Sequence, residues 1–441
     1  MNLKEKLQKW QHLFGMAENA GWLSIEKALR LGTGFFIGIY LARYFGPERF
    51  SPFEYALAIV VIFRALAGMG LRGVFVRNFT SYPDKRLVLL GSSALMITVA
   101  GAFAYLFALL AVYFLDGSDS QGLLLVAILA GQLLLYPTEV INYFFEARVL
   151  SKHTVIARII AYLIGAVIKL LIVWYGGTVV HLALAYLVEF LIVALLYLRA
   201  GARHGINYQK WEASKEVVTD LFQDGKFLIL AAVMVSIYMQ IDKIMLVNLV
   251  GDLENGQYSF AVRLAEAFYF IPVVVQQSAF PNLVTADRRD QEEFKLKIVK
   301  LVWLLTTTSV CIGIVLTLIS PWLIEFLAPG KFPKSGVMLS VVIWALPFVG
   351  LGVVQSSYLI AKGLLRYSLY LTTIGVVVNL CLNYYLIPAY GGIGAAWATV
   401  ISYATAAWLA AALFPQTRPL LKLTMQAIFT PWRFMGIKHK S

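Results

Sequence analysis

Asp242 and Lys243 stand side by side in the stretch MVSIYMQIDKIMLVNL (residues 234–249), whose other fourteen residues suit a bilayer. A charge at mid-membrane depth costs about 2.5–3.5 kcal/mol on insertion scales, so charge kept there points to a binding site, an ion path or a buried pair. Similar residues occur in three other apolar stretches: Glu26, Lys27 and Arg30 in 22–42, Arg64 in 53–74, and Arg263 with Glu266 in 257–283. Across the four stretches the cations Lys27, Arg30, Arg64, Lys243 and Arg263 outnumber the acids Glu26, Asp242 and Glu266. Such a site favours an anion, and guanidinium forks suit phosphate oxygens. Asp242, beside a cation in a low dielectric, is suited to exchange a proton or bind a monovalent cation, as coupling to an ion gradient requires.

Helical spacing groups these residues. Glu26, Arg30, Gly34 and Gly38 follow one another at i, i+4, a polar start and then small residues where a helix or ligand can approach closely. Ser236, Gln240 and Lys243 form one stripe, Tyr238 and Asp242 an adjacent one, and Ser259, Arg263 and Glu266 a third. Pro272 and Pro281 are placed to break their helix further along and free backbone groups. The same residues also fit a structural role. Glu26 with Arg30, Asp242 with Lys243 or a neighbour, and Arg263 with Glu266 would then be buried pairs fixing helix register, with Lys27 snorkelling to the surface. Arg64 has no partner in its own helix, and Lys169 and Glu189 read as structural or interlobe residues.

The elements that must position these side chains follow from composition. A chain of 441 residues with 60% hydrophobic and 14% charged residues and a mean hydropathy of +0.75 is an integral membrane protein. About 20 apolar residues of helix cross a bilayer core, and twelve such segments occur: 22–42, 53–74, 87–115, 121–145, 154–175, 178–199, 226–250, 257–283, 297–320, 336–361, 366–387 and 392–414. Cys311 and Cys381 lie in apolar spans without ligand spacing, so no disulfide framework and no metal site is indicated. Residues 1–21, where Lys4, Lys6 and Lys9 alternate with Leu3, Leu7, Trp10 and Phe14, read as an amphipathic segment at the membrane surface and not as a cleavable signal.

Basic residues set the orientation. With a cytoplasmic N-terminus, 27 Lys and Arg fall in the loops and termini of that side, against four on the other, Arg43, Arg49, Lys331 and Lys334. That split predicts both termini in the cytoplasm. It also assigns the net charge of +13 to topology and anionic lipid, with no call for nucleic acid. The turns Tyr175-Gly176-Gly177 and Tyr390-Gly391-Gly392 are 215 residues apart, and the re-entry motifs Tyr55-Ala56-Leu57-Ala58 and Tyr258-Ser259-Phe260-Ala261 are 203 apart. A duplicated six-helix unit in parallel orientation follows. The expected fold is therefore an all-α integral membrane protein with twelve transmembrane helices in two six-helix lobes related by a parallel internal repeat. The N-lobe spans 22–199, a cytoplasmic connector 200–225, the C-lobe 226–414 and a basic cytoplasmic tail 415–441. The charged first two helices of each lobe are expected to line one cavity.

Three runs carry a family resemblance: LARYFGPERFSPFEYALAIVVIFRALAGMGLRGVFVRNF (41–79), QIDKIMLVNLVGDLENGQYSFAVRLAEAFYFIPVVVQQSAFPNL (240–283) and NLCLNYYLIPAYGGIGAAWATVISY (379–403). Together they resemble the bacterial polysaccharide flippases of the multidrug/oligosaccharidyl-lipid/polysaccharide exporter superfamily. The resemblance spans nearly the whole chain and implies translocation of O-antigen or capsule repeat units on a polyprenyl diphosphate carrier across the inner membrane, by rocking of two bundles. It implies Arg30, Arg64 and Arg263, with Lys243 and Lys27, as the cationic diphosphate and sugar site, and Asp242, with Glu26 and Glu266, in coupling or gating. No cofactor is implied beyond a coupling ion, H+ or Na+. The partners would be the lipid-linked oligosaccharide, membrane lipids and the polysaccharide polymerase or assembly machinery. Competing readings are a multidrug exporter of organic cations, whose cavity should be more acidic or aromatic, and a lipid II flippase, usually with helices beyond twelve. A membrane polymerase or ligase needs a large external domain or loop that the chain lacks, and no G-x-x-x-x-G-K-[ST] loop is present for ATP.

Overall fold

The computed structural model describes residues 3–116 and 120–430, and among these every regular element is a helix. Hydrocarbon offers no hydrogen bonds, so each spanning segment must satisfy its own backbone, which a helix does. The long helices are α1 (Leu3–Gly68), α2 (Leu71–Ser81), α3 (Arg86–Asp116), α4 (Ser120–Leu135), α5 (Glu139–Ala147), α6 (Lys152–Trp174), α7 (Val179–Arg203) and α8 (Lys215–Val250). They continue with α9 (Asp252–Glu266), α10 (Phe270–Arg289), α11 (Gln291–Leu327), α12 (Ser335–Val342), α13 (Leu346–Ala361), α14 (Leu365–Ala407) and α15 (Arg418–Phe429).

Among the described residues ten helical stretches are long and apolar enough to cross a membrane, and two of them are pairs of spans run together. Gly21–Ser81 breaks at Gly46 (φ 71°, ψ 172°) and Leu365–Ala412 at Gly391 (φ 57°, ψ −136°). Glycine alone adopts such backbone angles cheaply, so both turns are fixed by residue type. Counting each pair as two gives the twelve spans expected from hydropathy.

The repeat is visible in the backbone irregularities. Gly46 matches Gly251 (φ 96°, ψ 176°) and Gly176 (φ 71°) matches Gly391. Val149 (φ 59°) matches Gly363 (φ 67°) in the same way. The break between α1 and α2 recurs between α9 and α10, and the 3₁₀ turn Tyr136–Thr138 between α4 and α5 recurs as Ile343–Ala345 between α12 and α13. Proline explains several of these interruptions: Pro137 lies in the first 3₁₀ turn, Pro347 opens α13 and Pro272 lies in the first turn of α10. Each removes an N–H and crowds the carbonyl four residues earlier.

The chain divides into two compact units, Met1–Tyr44 with Ala56–Val233, and Phe45–Tyr55 with Met234–Ser441. The division falls within α8 and not in 200–225. Residues of that connector pack on the first unit: Ser214 N donates to Ser92 Oγ (3.1 Å), and a Cβ on Gly91 would lie 2.2 Å from the Glu212 carbonyl oxygen. The first unit's core gathers Leu71, Phe75, Phe79, Phe145 and Tyr197, and the second gathers Phe294, Ile298, Val302, Leu359 and Leu371. Outward side chains are apolar as well, including Phe114, Trp174 and Leu318, as a surface facing lipid requires.

The terminal expectations divide. Most of the amphipathic segment's side chains, residues 1–17, lie outside the described residues, but Glu18 accepts from Lys152 Nζ (2.9 Å) and Asn19 Oδ1 accepts from Ser151 N (2.8 Å). In the tail, α15 buries Leu420, Leu423 and Ala427 in the second unit's core, while Arg433, Lys438 and Lys440 lie outside the described residues.

Candidate substrate and coupling site

Successive residues on a helix point about 100° apart, so Asp242 and Lys243 on α8 face different surroundings. Asp242, 4% exposed, is held entirely by neutral donors. Tyr258 Oη (2.8 Å) and Thr399 Oγ1 donate to Oδ2, and Asn383 Nδ2 donates to Oδ1 (2.5 Å). Asn383 also donates to Asn379 Oδ1 (3.1 Å), Asn379 donates to Ser402 Oγ (3.2 Å), and Thr399 Oγ1 lies 2.9 Å from the Ala395 carbonyl. A carboxylate, the Tyr258 and Thr399 hydroxyls, the Asn379 amide oxygen and a backbone carbonyl thus meet in the membrane-spanning part of one unit. Hard oxygen donors of this kind suit a proton or a small hard cation.

Lys243 turns to a different partner. Its Nζ donates to Glu54 Oε2 (2.9 Å), and Arg263 Nη2 donates to Glu54 Oε1, so one carboxylate, 1% exposed, serves two cations. Arg263 also lies over the Phe50 ring, 5.4 Å from its centroid. Glu266 sits within electrostatic range of Lys243, Glu54, Arg263 and Asp242. Glu54 therefore takes the place that the sequence offered to Asp242 for Lys243, and it binds Arg263, for which the sequence offered Glu266. The second unit brings Asp242, Lys243, Arg263 and Glu266 into one polar cluster. The interruption of span eight at 267–269, just past Glu266, is closed by short-range bonds such as Tyr269 N to Glu266 O (3.0 Å).

In the first unit Glu26 lies 3.8 Å from Arg30 and 3.2 Å from Arg158, which also bonds Asn142 (3.1 Å) and the Tyr197 hydroxyl (2.9 Å). Arg30 is largely exposed and Lys27 half-buried. Gly34 receives a helix, as its i, i+4 position allowed: a Cβ there would lie 2.6 Å from Tyr162 Oη, which donates to the Arg30 carbonyl (3.1 Å). Arg64, half-buried, makes no ion pair within 4 Å among the described residues, though it acts electrostatically on Glu139 and Tyr136. Lys169 pairs with Glu189 (2.6 Å) and lies 3.8 Å from the Tyr186 ring centroid. That pair fills its own needs.

Sequence reasoning missed Glu54, Tyr258, Asn379, Asn383, Thr399 and Arg158. Glu54 lies one residue inside the boundary of span 53–74 and is not among the charges singled out there, and Arg158 counts with the loop cations of 148–158. The others are neutral. A search confined to formal charge overlooks them, although Asn379 and Asn383 at i, i+4 in an apolar helix are a readable signal.

Comparison with known proteins then decides the family. A family model described as polysaccharide biosynthesis protein (Polysacc_synt) matches residues 16–287, more than half of the chain. The chain belongs to that family. A second model, MatE, matches residues 228–385. Among solved structures, this polysaccharide biosynthesis family member is similar to an inward-facing multidrug resistance MATE family transporter of the MOP superfamily, with TM-score 0.72, 16% identity and coverage of 92% of this chain and 99% of that one. It is similar to the lipid II flippase MurJ in an inward closed conformation (TM-score 0.69, 16% identity, 92% and 90% coverage). It is also similar to a MOP superfamily transporter from Pyrococcus furiosus Vc1 (TM-score 0.59, 13% identity, 93% and 94% coverage). At these identities the structural likeness concerns the fold. No curated protein matches the sequence. The chain is thus a polysaccharide biosynthesis family member that carries, among its described residues, ten helical stretches long and apolar enough to cross a membrane and shares its fold with these membrane transporters.

Proposed function

We propose that the protein flips a polyprenyl-diphosphate-linked oligosaccharide, an O-antigen or capsule repeat unit, from the cytoplasmic to the outer leaflet of the inner membrane by ion-coupled alternating access. The observation that carries this reading is one polar cluster inside one membrane-spanning unit, in which two cations, Lys243 and Arg263, share the Glu54 carboxylate close to a second acid, Asp242, that hydroxyl and amide donors hold. In the second unit Lys243 and Arg263, and in the first Arg30, Arg64 and Lys27, are the groups whose charge and fork geometry suit a diphosphate. Asp242 takes up the coupling ion, with Glu26 and Glu266 adjusting charge in gating. Binding one cation at Asp242 adds one positive charge to the cluster, and its release removes it, so ion and anion affinities are linked through a shared field. The prenyl tail stays in the bilayer while the sugar crosses, and polysaccharide polymerase or assembly machinery takes the product.

The test is translocation of a fluorescent polyprenyl diphosphate oligosaccharide in proteoliposomes, with Arg30→Ala, Arg64→Ala and Arg263→Ala at matched reconstitution. Transport by the intact protein and a loss of tenfold or more in the folded variants is expected, since a hydrogen bond to a charged group contributes roughly 1.5–3 kcal/mol. The MatE match over 228–385 favours a second reading, efflux of organic cations. Such efflux, without transport of any carrier-linked sugar, would select that reading. Transport of lipid II in place of sugar repeat units would select a substrate like that of MurJ.

A further inference from the structure

Glu54 alters the charge balance on which an anion site depends. Counting it, the second unit's cluster holds three acids, Glu54, Asp242 and Glu266, against two cations, Lys243 and Arg263. An anion arriving there meets cations already neutralised. Glu54 is the most deeply buried of the trio, its side chain 1% exposed against 10% for Lys243 and 22% for Arg263.

The segment that brings Glu54 there has a divided allegiance. Residues up to Tyr44 and from Ala56 belong to the first unit, while Phe45–Tyr55 belongs to the second. Its seat combines buried aromatic side chains, Phe50, Phe53 and Tyr55, with polar contacts. Ser51 Oγ donates to Asp252 Oδ1 (2.6 Å), and Asn255 Nδ2 donates to Ser51 Oγ (2.8 Å). Gly256 lies so close to the segment that a Cβ would come 2.1 Å from the Pro47 carbonyl oxygen. Glu54 and its two cations thus lie on separate helices, so the ion pairs are tertiary contacts that no helix's own backbone fixes.

We propose that Glu54 is an internal stand-in for the substrate's diphosphate: its carboxylate occupies Lys243 and Arg263 in the structure seen here, and the anionic head group binds by displacing it. The inference rests on the reading of the protein as a carrier of diphosphate-linked lipid. Geometry supports the exchange, because a carboxylate and a phosphate present the same kind of paired oxygens to a guanidinium and an ammonium. The exchange also keeps the two cations from standing in the membrane without a counter-anion between transport cycles.

The experiment measures binding of geranylgeranyl diphosphate to the full-length protein in nanodiscs, with geranylgeraniol as the phosphate-free control. Glu54→Gln is expected to bind the diphosphate about tenfold more tightly than the intact protein, with geranylgeraniol unchanged. A Glu54 that only stabilises the fold gives equal or weaker binding in Glu54→Gln, which overturns the proposal. Should Glu54→Gln fail to fold, the comparison moves to Lys243→Met against Glu54→Gln/Lys243→Met, where the double variant is expected to bind more tightly; equal or weaker binding again overturns it. The underlying reading is separated by the proteoliposome assay on the intact protein. Sugar-lipid transport without tightening by Glu54→Gln rejects the stand-in alone, and absence of sugar-lipid transport rejects the reading on which it rests.

Discussion

Asp242 and Glu54 are both buried carboxylates, yet their chemistry differs because their partners differ. Glu54 faces two cations, so neutralising it strands charge, which for a buried pair typically costs about 3–5 kcal/mol. Asp242 has only hydroxyl and amide donors, so Asp242→Asn leaves no orphaned cation and the variant is expected to stay folded. It should keep diphosphate binding and lose the dependence of transport on an ion gradient. Transport measured with and without an imposed proton or sodium gradient checks this, and retained gradient dependence would remove Asp242 from coupling. Part of this was legible beforehand. Formal charge inside an apolar span is conspicuous, and it led to Asp242, Lys243, Arg263 and Glu266. What holds each of them was not, because pairing across helices far apart in sequence, Glu54 with Lys243 or Thr399 with Asp242, leaves no local spacing to read.

Among the elements, the turns carry the repeat more faithfully than the side chains do. At the turn where the second half places Gly363 at φ 67°, the first half places Val149 at φ 59°. The left-handed region costs an L-residue roughly 1–2 kcal/mol, and a β-branched side chain is among the worst placed to adopt it. Val149 is 39% exposed and gives up little packing if truncated. Val149→Gly is thus expected to stabilise the protein by about 1 kcal/mol, after the entropy that glycine adds to the unfolded chain. A higher thermal midpoint in detergent is the readout, with Gly363→Val lowering it; a fall in Val149→Gly would mean that the side chain holds the turn. The Gly-Gly turns made the duplication readable from sequence. The mid-span interruptions at 136–138 and 343–345 did not announce themselves, because a proline inside an apolar run marks a kink, a helix start or a 3₁₀ turn alike.

For the whole molecule, the distribution of basic residues predicts which end faces the cytoplasm, the side on which the proposed flippase would load its substrate. Arg289, Lys295, Lys297 and Lys300 lie near the junction of α10 and α11, while Lys331 and Lys334 lie between α11 and α12, at the other end of the same membrane-spanning helix. The positive-inside rule weighs short loops close to span ends, and each of these qualifies. In a chain whose native Cys311 and Cys381 are replaced by serine, a cysteine at Glu293 should react with a membrane-impermeant maleimide only after permeabilisation. A cysteine at Lys331 should react in intact cells. The reverse pattern would turn the molecule over. The basic end, which lies among anionic headgroups if it faces the cytoplasm, would then face outward, and a diphosphate substrate made on the cytoplasmic leaflet would meet the sparsely basic end of the carrier first. The labelling pattern therefore tests the topology that the proposed direction of transport requires, since electrostatic attraction at the loading face assists a flippase only when that face and the site of substrate synthesis coincide.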